Sequence, residues 1–148
     1  MTGYDLPERD QIVRYIKPRM IKQNGNADGS SFTLRTDMQN ETGLPVNWLE
    51  VLGSDRSNQL SEVRRLSRLE LRRNGRFAEL NVGEVIRRVA HELDTLRIMH
   101  VPLTESEGFP ADSSHALISG LPPGESDHAL LVGDLIARCV VSMHPAKD

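Results

Sequence analysis

One cysteine, Cys139, occurs in 148 residues, so neither an internal disulfide nor a thiolate cage for a metal can form. Its neighbours Ile136, Val140 and Val141 mark a buried thiol, and Arg138, adjacent in sequence, would not share its side of a helix. Aromatics are nearly as scarce, with one tryptophan, two tyrosines and three phenylalanines. That removes the interleaved stacking side chains of a single-strand nucleic-acid binder. No apolar run approaches the roughly 18 residues of a spanning helix. Met1-Thr2-Gly3-Tyr4-Asp5 lacks the basic-then-apolar layout of a secretory signal. A net charge of −3 gives no global pull towards nucleic acid or an acidic membrane. The expectation is a cytoplasmic protein with no membrane association.

Catalytic motifs are missing as well. There is no Gly-x-Ser-x-Gly elbow, P-loop or dinucleotide-binding glycine fingerprint, and no Cys–His arrangement surrounds Cys139. His91, His100, His115, His128 and His144 show no metal-binding spacing, and His91-Glu92 is a lone fragment on the exposed side of a helix. No metal and no cofactor is expected.

What is present is an apolar content of 38% spread along the whole length. It favours a folded chain over disorder, and the length fits a single domain over residues 1–148. Charge is uneven. Residues 56–76 hold seven arginines (Arg56, Arg64, Arg65, Arg68, Arg72, Arg73, Arg76) against Glu62 and Glu70, whereas residues 100–148 are acidic.

Residues 11–16, rich in β-branched side chains and closed by Pro18, predict a strand. Residues 24–31 read as a turn. Residues 31–36 alternate, with Phe32 and Leu34 on one side, and predict a half-buried strand. Residues 37–43 read as loop, and residues 46–52 suit a strand or a single helical turn. Residues 57–73 predict a helix with Leu60, Val63, Leu66, Leu69 and Leu71 inward and Arg64, Arg65, Arg68, Arg72 and Arg76 outward. Asn74-Gly75 would stop it, although the same dipeptide makes residues 69–80 readable as a hairpin. Residues 77–80 suit a strand, and Asn81-Val82-Gly83-Glu84 has capping-box spacing ahead of a helix carrying Val85, Ile86, Val89, Ala90 and Leu93. Residues 96–101 and 115–120 are further strands, separated by a polar surface loop over 104–114. A final helix over about 126–142 would bury Leu131, Val132, Leu135, Ile136 and Cys139, leaving Asp134 and Arg138 outside, with Gly133 an oddity within it. The pattern predicts an α+β fold: an antiparallel or mixed sheet of about four to six strands with two or three helices on one face.

Several segments resemble a group of small bacterial proteins that have no assigned activity. They are Arg14-Tyr15-Ile16, Ser31-Phe32-Thr33-Leu34-Arg35, Gly43-Leu44-Pro45-Val46-Asn47-Trp48-Leu49-Glu50, Phe77-Ala78-Glu79-Leu80-Asn81-Val82-Gly83 and His115-Ala116-Leu117-Ile118-Ser119-Gly120. The similarity covers most of the chain and implies a shared bacterial domain and no reaction. It departs at Pro45, where the related sequences favour serine; proline lacks the backbone donor.

Three functions follow as expectations. The first is an interaction protein, binding another protein or itself through Asn47, Trp48 and Glu50 or through the arginine face of Arg64, Arg68 and Arg72. The lone indole reads as a buried anchor with its N–H paired. The second is a small-ligand binder or enzyme in which His115 moves a proton and Arg14 and Arg35 hold an anion. Favoured over it, His115 reads as a strand-end histidine tied to loop backbone, and the two arginines as partners of an internal acid such as Glu50. The third is a nucleic-acid module using the helix at 64–76, against the alternative of a solvated charged face.

Overall fold

Alternating side chains in β1 (Gln11–Ile16) set up two cores, because successive residues of a strand point to opposite faces. Ile12 and Ile16 enter a large core, while Val13 enters a smaller one. The computed structural model describes residues 3–34, 43–124 and 126–147. Within them β1 lies between β2 (Gly43–Trp48) and β3 (Arg76–Asn81). Beyond β2 come β5 (His115–Ser119) and then β4 (Arg97–His100), and beyond β3 comes β6 (Ser142–Pro145). Every pairing is antiparallel. With three helices, this is an α+β fold.

The helices occupy both faces, not one. Val85 and Val89 of α2 (Val82–Val89) and Val132 and Ile136 of α3 (Asp127–Ala137) fill the large core against Ile12, Ala78, Leu80 and Ile118. Leu60 and Val63 of α1 (Arg56–Leu66) close the small core against Val13 and Phe77. Each helix starts on a side-chain cap. Asp55 accepts from the Asn58 N–H, Asn81 from that of Glu84, and Ser126 from that of Ala129. Asn81 therefore fills the capping position that its spacing predicts.

Three local expectations fail for physical reasons, and the open choice over residues 46–52 is decided. Residues 29–32 form a 3-10 turn, not a strand, because Asp28 caps it through the Ser30 N–H and Phe32 turns wholly inward. Residues 43–52 are both of the alternatives, a strand followed by a 3-10 turn over Glu50–Leu52. The helix at 56 ends at Leu66, where Ser67 turns extended and its hydroxyl takes the Leu69 N–H; residues 69–75 are neither helix nor hairpin. Helix α3 stops at Ala137, and the β-branched pair Val140-Val141 leads the chain back to the sheet, with the Val141 N–H on the Glu79 carbonyl.

Glycine explains how α3 sits. A Cβ on Gly133 would lie 2.5 Å from the carbonyl oxygen of Gly29, so helix and 3-10 turn meet backbone to backbone. Gly133→Ala would gain about 1 kcal/mol of helix propensity and lose about 3 kcal/mol to overpacking against a backbone atom. A net loss near 2 kcal/mol is expected in urea unfolding.

Both sheet edges are guarded. The segment before β1 pairs along β4, with Gly3 N on His100 O at 2.7 Å and Leu6 N on Ile98 O at 2.9 Å. At the far edge Pro145 offers no donor, and its carbonyl accepts from Arg64 at 2.8 Å.

Candidate functional site

The tryptophan end of β2 is an anchor built from buried acids. Trp48 is half-buried, and its Nε1 donates to Asp10 at 2.9 Å. Its ring meets His100 and Tyr4 edge-on, with centroids 5.3 and 6.5 Å away. Asn47 donates to Asp112 at 3.1 Å and to the Ser114 hydroxyl at 2.8 Å, and that hydroxyl donates to Asp112 at 2.6 Å. Asp112 and Ser114 are buried, so the loop expected over 104–114 has an interior end. Its tip is a tight hairpin, with Glu107 and Gly108 at φ 45° and 86° and a bridge from Ser106 to Phe109. Glu50 accepts from the Gln11 backbone N–H at 2.9 Å. Asn47, Trp48 and Glu50 thus serve the fold.

Arg14 and His115 do not converge. Strand register pairs Val13 with Asn47 and Asn47 with His115, which places His115 on the α1 side of the sheet. Arg14, next to Val13, points to the other side and donates to the carbonyls of Ser31 at 2.7 Å and Pro45 at 2.8 Å. His115 Nδ1 sits 2.8 Å from the Val101 carbonyl, the strand-end role weighed above. Arg35 lies outside the described residues.

The arginine face also dissolves. Arg64 reaches Pro145, Arg65 pairs with Glu62 at 2.6 Å, and Arg72 pairs with Glu70 at 3.6 Å. Arg68, expected outward, is half-buried: it donates to Thr104 at 2.5 Å and Pro110 at 3.2 Å, with its guanidinium 5.7 Å from the Phe109 ring centre. It straps the hairpin to the chain after α1. With the helix ending at Leu66, these side chains present no common stripe for phosphates.

A second polar centre was not singled out from the sequence. Glu79 on β3, 6% exposed, accepts from Gln11 at 2.9 Å, Arg56 at 3.0 Å and His144 at 2.7 Å. Arg56 also donates to Gln59, whose Nε2 holds the Gly53 carbonyl at 2.6 Å. Burial pushes the Glu79 carboxyl up, but the bonds from Gln11 and His144 and the charges of Arg56 and His144 together hold it below its ordinary value. The signal was a charged residue inside the apolar run Phe77-Ala78-Glu79-Leu80, where burial demands a partner. Every oxygen of this carboxylate is engaged, so it locks α1 and β6 onto β3.

Three of the seven exposed large apolar side chains among the described residues lie on α3 or just after it. Its buried side is Ala129, Val132, Gly133 and Ile136. Leu131, expected inside, is 44% exposed, Leu130 45%, and Val141 beyond the helix 61%. An offset explains the miss: with Gly133 against Gly29 of the 3-10 turn, the buried arc is rotated away from Leu131. A cleft of about 450 Å³ runs beside this face, bordered by Lys22, Asp134, Arg138, Val141 and Met143. Cys139 is buried nearby, and burial raises its thiol above the ordinary value against the opposing charge of Arg88.

No family model, curated protein or solved structure matches the chain. Among the described residues, no group of three or more His, Cys, Asp or Glu side chains is placed to hold a metal ion. No described helix is long and apolar enough to cross a membrane.

Proposed function

We propose that the chain is a small bacterial cytoplasmic interaction protein that binds another protein or itself through the outer side of α3. The observation that carries this reading is a pair of adjacent leucines exposed on the outer side of a helix whose inner side is already packed. One side is spent on the core, and the other leaves Leu130 and Leu131 in solvent. Beside the exposed charges of Asp127, Asp134 and Arg138, the two leucines give this side the mixed character of a contact surface. The resemblance given above supports the bacterial setting, and a lone buried thiol fits a reducing compartment. The ligand-binding reading loses ground because the sheet separates Arg14 from His115. The nucleic-acid reading loses ground because Arg68 is tied to carbonyls.

Immobilised chain, exposed to extract of the cells that make it, is expected to retain a discrete protein. The variant carrying Leu130→Asp and Leu131→Asp should lose it while unfolding at the same temperature. Equal retention by both forms would refute the assignment of the surface.

A further inference from the structure

We infer that Asn24-Gly25 is a self-modifying site, at which the Gly25 backbone nitrogen displaces the Asn24 side-chain amide and leaves aspartate or isoaspartate in its place. The chain offers three places for such a cyclisation: Asn24-Gly25, Asn74-Gly75 and Asp28-Gly29. All have the glycine that the reaction favours, because a Cβ on the attacking residue crowds the ring closure. The surroundings separate them.

Asn24 and Gly25 are both exposed, in the turn that joins Ile21 to its bridge partner Ala27. A Cβ on Gly25 would meet no atom within 4 Å, and the φ of 89° is a left-handed value that glycine takes without strain. Asn24 Oδ1 accepts from the Asn26 N–H at 3.0 Å. That donor polarises the carbonyl under attack and is already aimed at the oxygen that becomes an oxyanion. One bond opposes attack, from the Gly25 N–H to the Lys22 carbonyl at 2.8 Å, and its loss opens only an exposed turn.

The other two places are closed. Gly75 is buried, and a Cβ on it would lie 2.6 Å from the Tyr15 ring. Its N–H donates to the Arg72 carbonyl at 3.0 Å and its carbonyl accepts from Ala146 at 3.2 Å, so freeing it loosens the chain beyond β6. At Asp28, hydrogen bonds from the Ser30 N–H and hydroxyl hold the carboxyl below its ordinary value, and an ionised carboxylate resists attack by an amide nitrogen. Gly29 is buried against α3.

The Gly25 nitrogen gives up its proton to solvent and bonds to Asn24 Cγ. The Cγ–Nδ2 bond breaks, the departing nitrogen takes up a proton and leaves as ammonia, and a succinimide remains. Water then opens the ring at either carbonyl. The balance is water in and ammonia out, with no oxidant or donor. Either product adds a negative charge to a chain at −3. Isoaspartate also adds a carbon to the main chain, which spoils the bond from the Lys22 N–H to the Asn26 carbonyl at 2.8 Å. Lys22 and Asn26 border the cleft beside α3, so the change alters its rim with time.

Peptide mapping of the folded chain, kept for days in mildly alkaline buffer, tests this. The peptide carrying Asn24 should gain the mass of nitrogen exchanged for oxygen and split into aspartyl and isoaspartyl forms. The peptide carrying Asn74 should change at least about tenfold more slowly, since the fold denies it the attacking geometry. In urea strong enough to unfold the chain, the two rates should converge. Hydroxylamine, which traps the succinimide and cleaves there, should cut the folded chain after Asn24 and not after Asn74. Asn24→Gln should abolish the change at the first peptide and leave the second as before. An Asn24 peptide that stays unchanged, equal rates at both sites in the folded chain, or a difference that survives in urea would overturn the inference.

Discussion

Phe32→Ala is expected to remove about 3–5 kcal/mol of folding stability. The ring is wholly buried in the large core, carried by the 3-10 turn against which α3 packs. Its loss leaves a cavity that backbone on both sides cannot collapse to fill, because Gly29 and Gly133 already bring turn and helix together. Against a total of about 5–15 kcal/mol for a folded domain, that is enough to populate unfolded chain at modest temperature. Urea titration should show a lower midpoint with an unchanged slope. A loss below about 1 kcal/mol would show that the ring is not enclosed.

Glu79→Ala should cost about 2–4 kcal/mol, since it strands Gln11, Arg56 and His144 around a buried void. The lower end of that range applies if Arg56, partly open to solvent, recovers hydration. The same carboxylate makes stability depend on acid. Its folded-state value lies below the ordinary one, so its contribution is complete above the unfolded carboxylate value of about 4.3. It is lost as pH falls through the lower folded value. Thermal midpoints of the native chain should therefore drop on acidification more steeply than those of Glu79→Gln. Identical acid slopes for the two would remove Glu79 from the stability account.

Strands were legible at Gln11–Ile16 and His115–Ser119, since the pleat imposes a period of two, but the alternation that begins at Ser31 falls on a 3-10 turn. The capping segment at Asn81 was legible because its hydrogen bond is local. What escaped depended on distant partners. Arg68 leaves its expected stripe because the carbonyls of Thr104 and Pro110 lie far along the chain. Gly133 looked like a flaw in a helix until Gly29 came beside it. Leu131 reads as core for the same reason, since periodicity finds an apolar arc without fixing which part faces inward. The candidate residues at Arg14 and His115 shared a plausible chemistry, and only the register of β1, β2 and β5 shows that the sheet lies between them.

The most direct test of a partner surface on α3 is site-specific photo-crosslinking in living cells. A photoreactive side chain is placed at Leu131, and a control at Ser61, which is exposed on α1 across the sheet. A discrete protein adduct at position 131 with none at 61 is the expected result. No adduct at 131, or equal yields at both positions, would contradict the account.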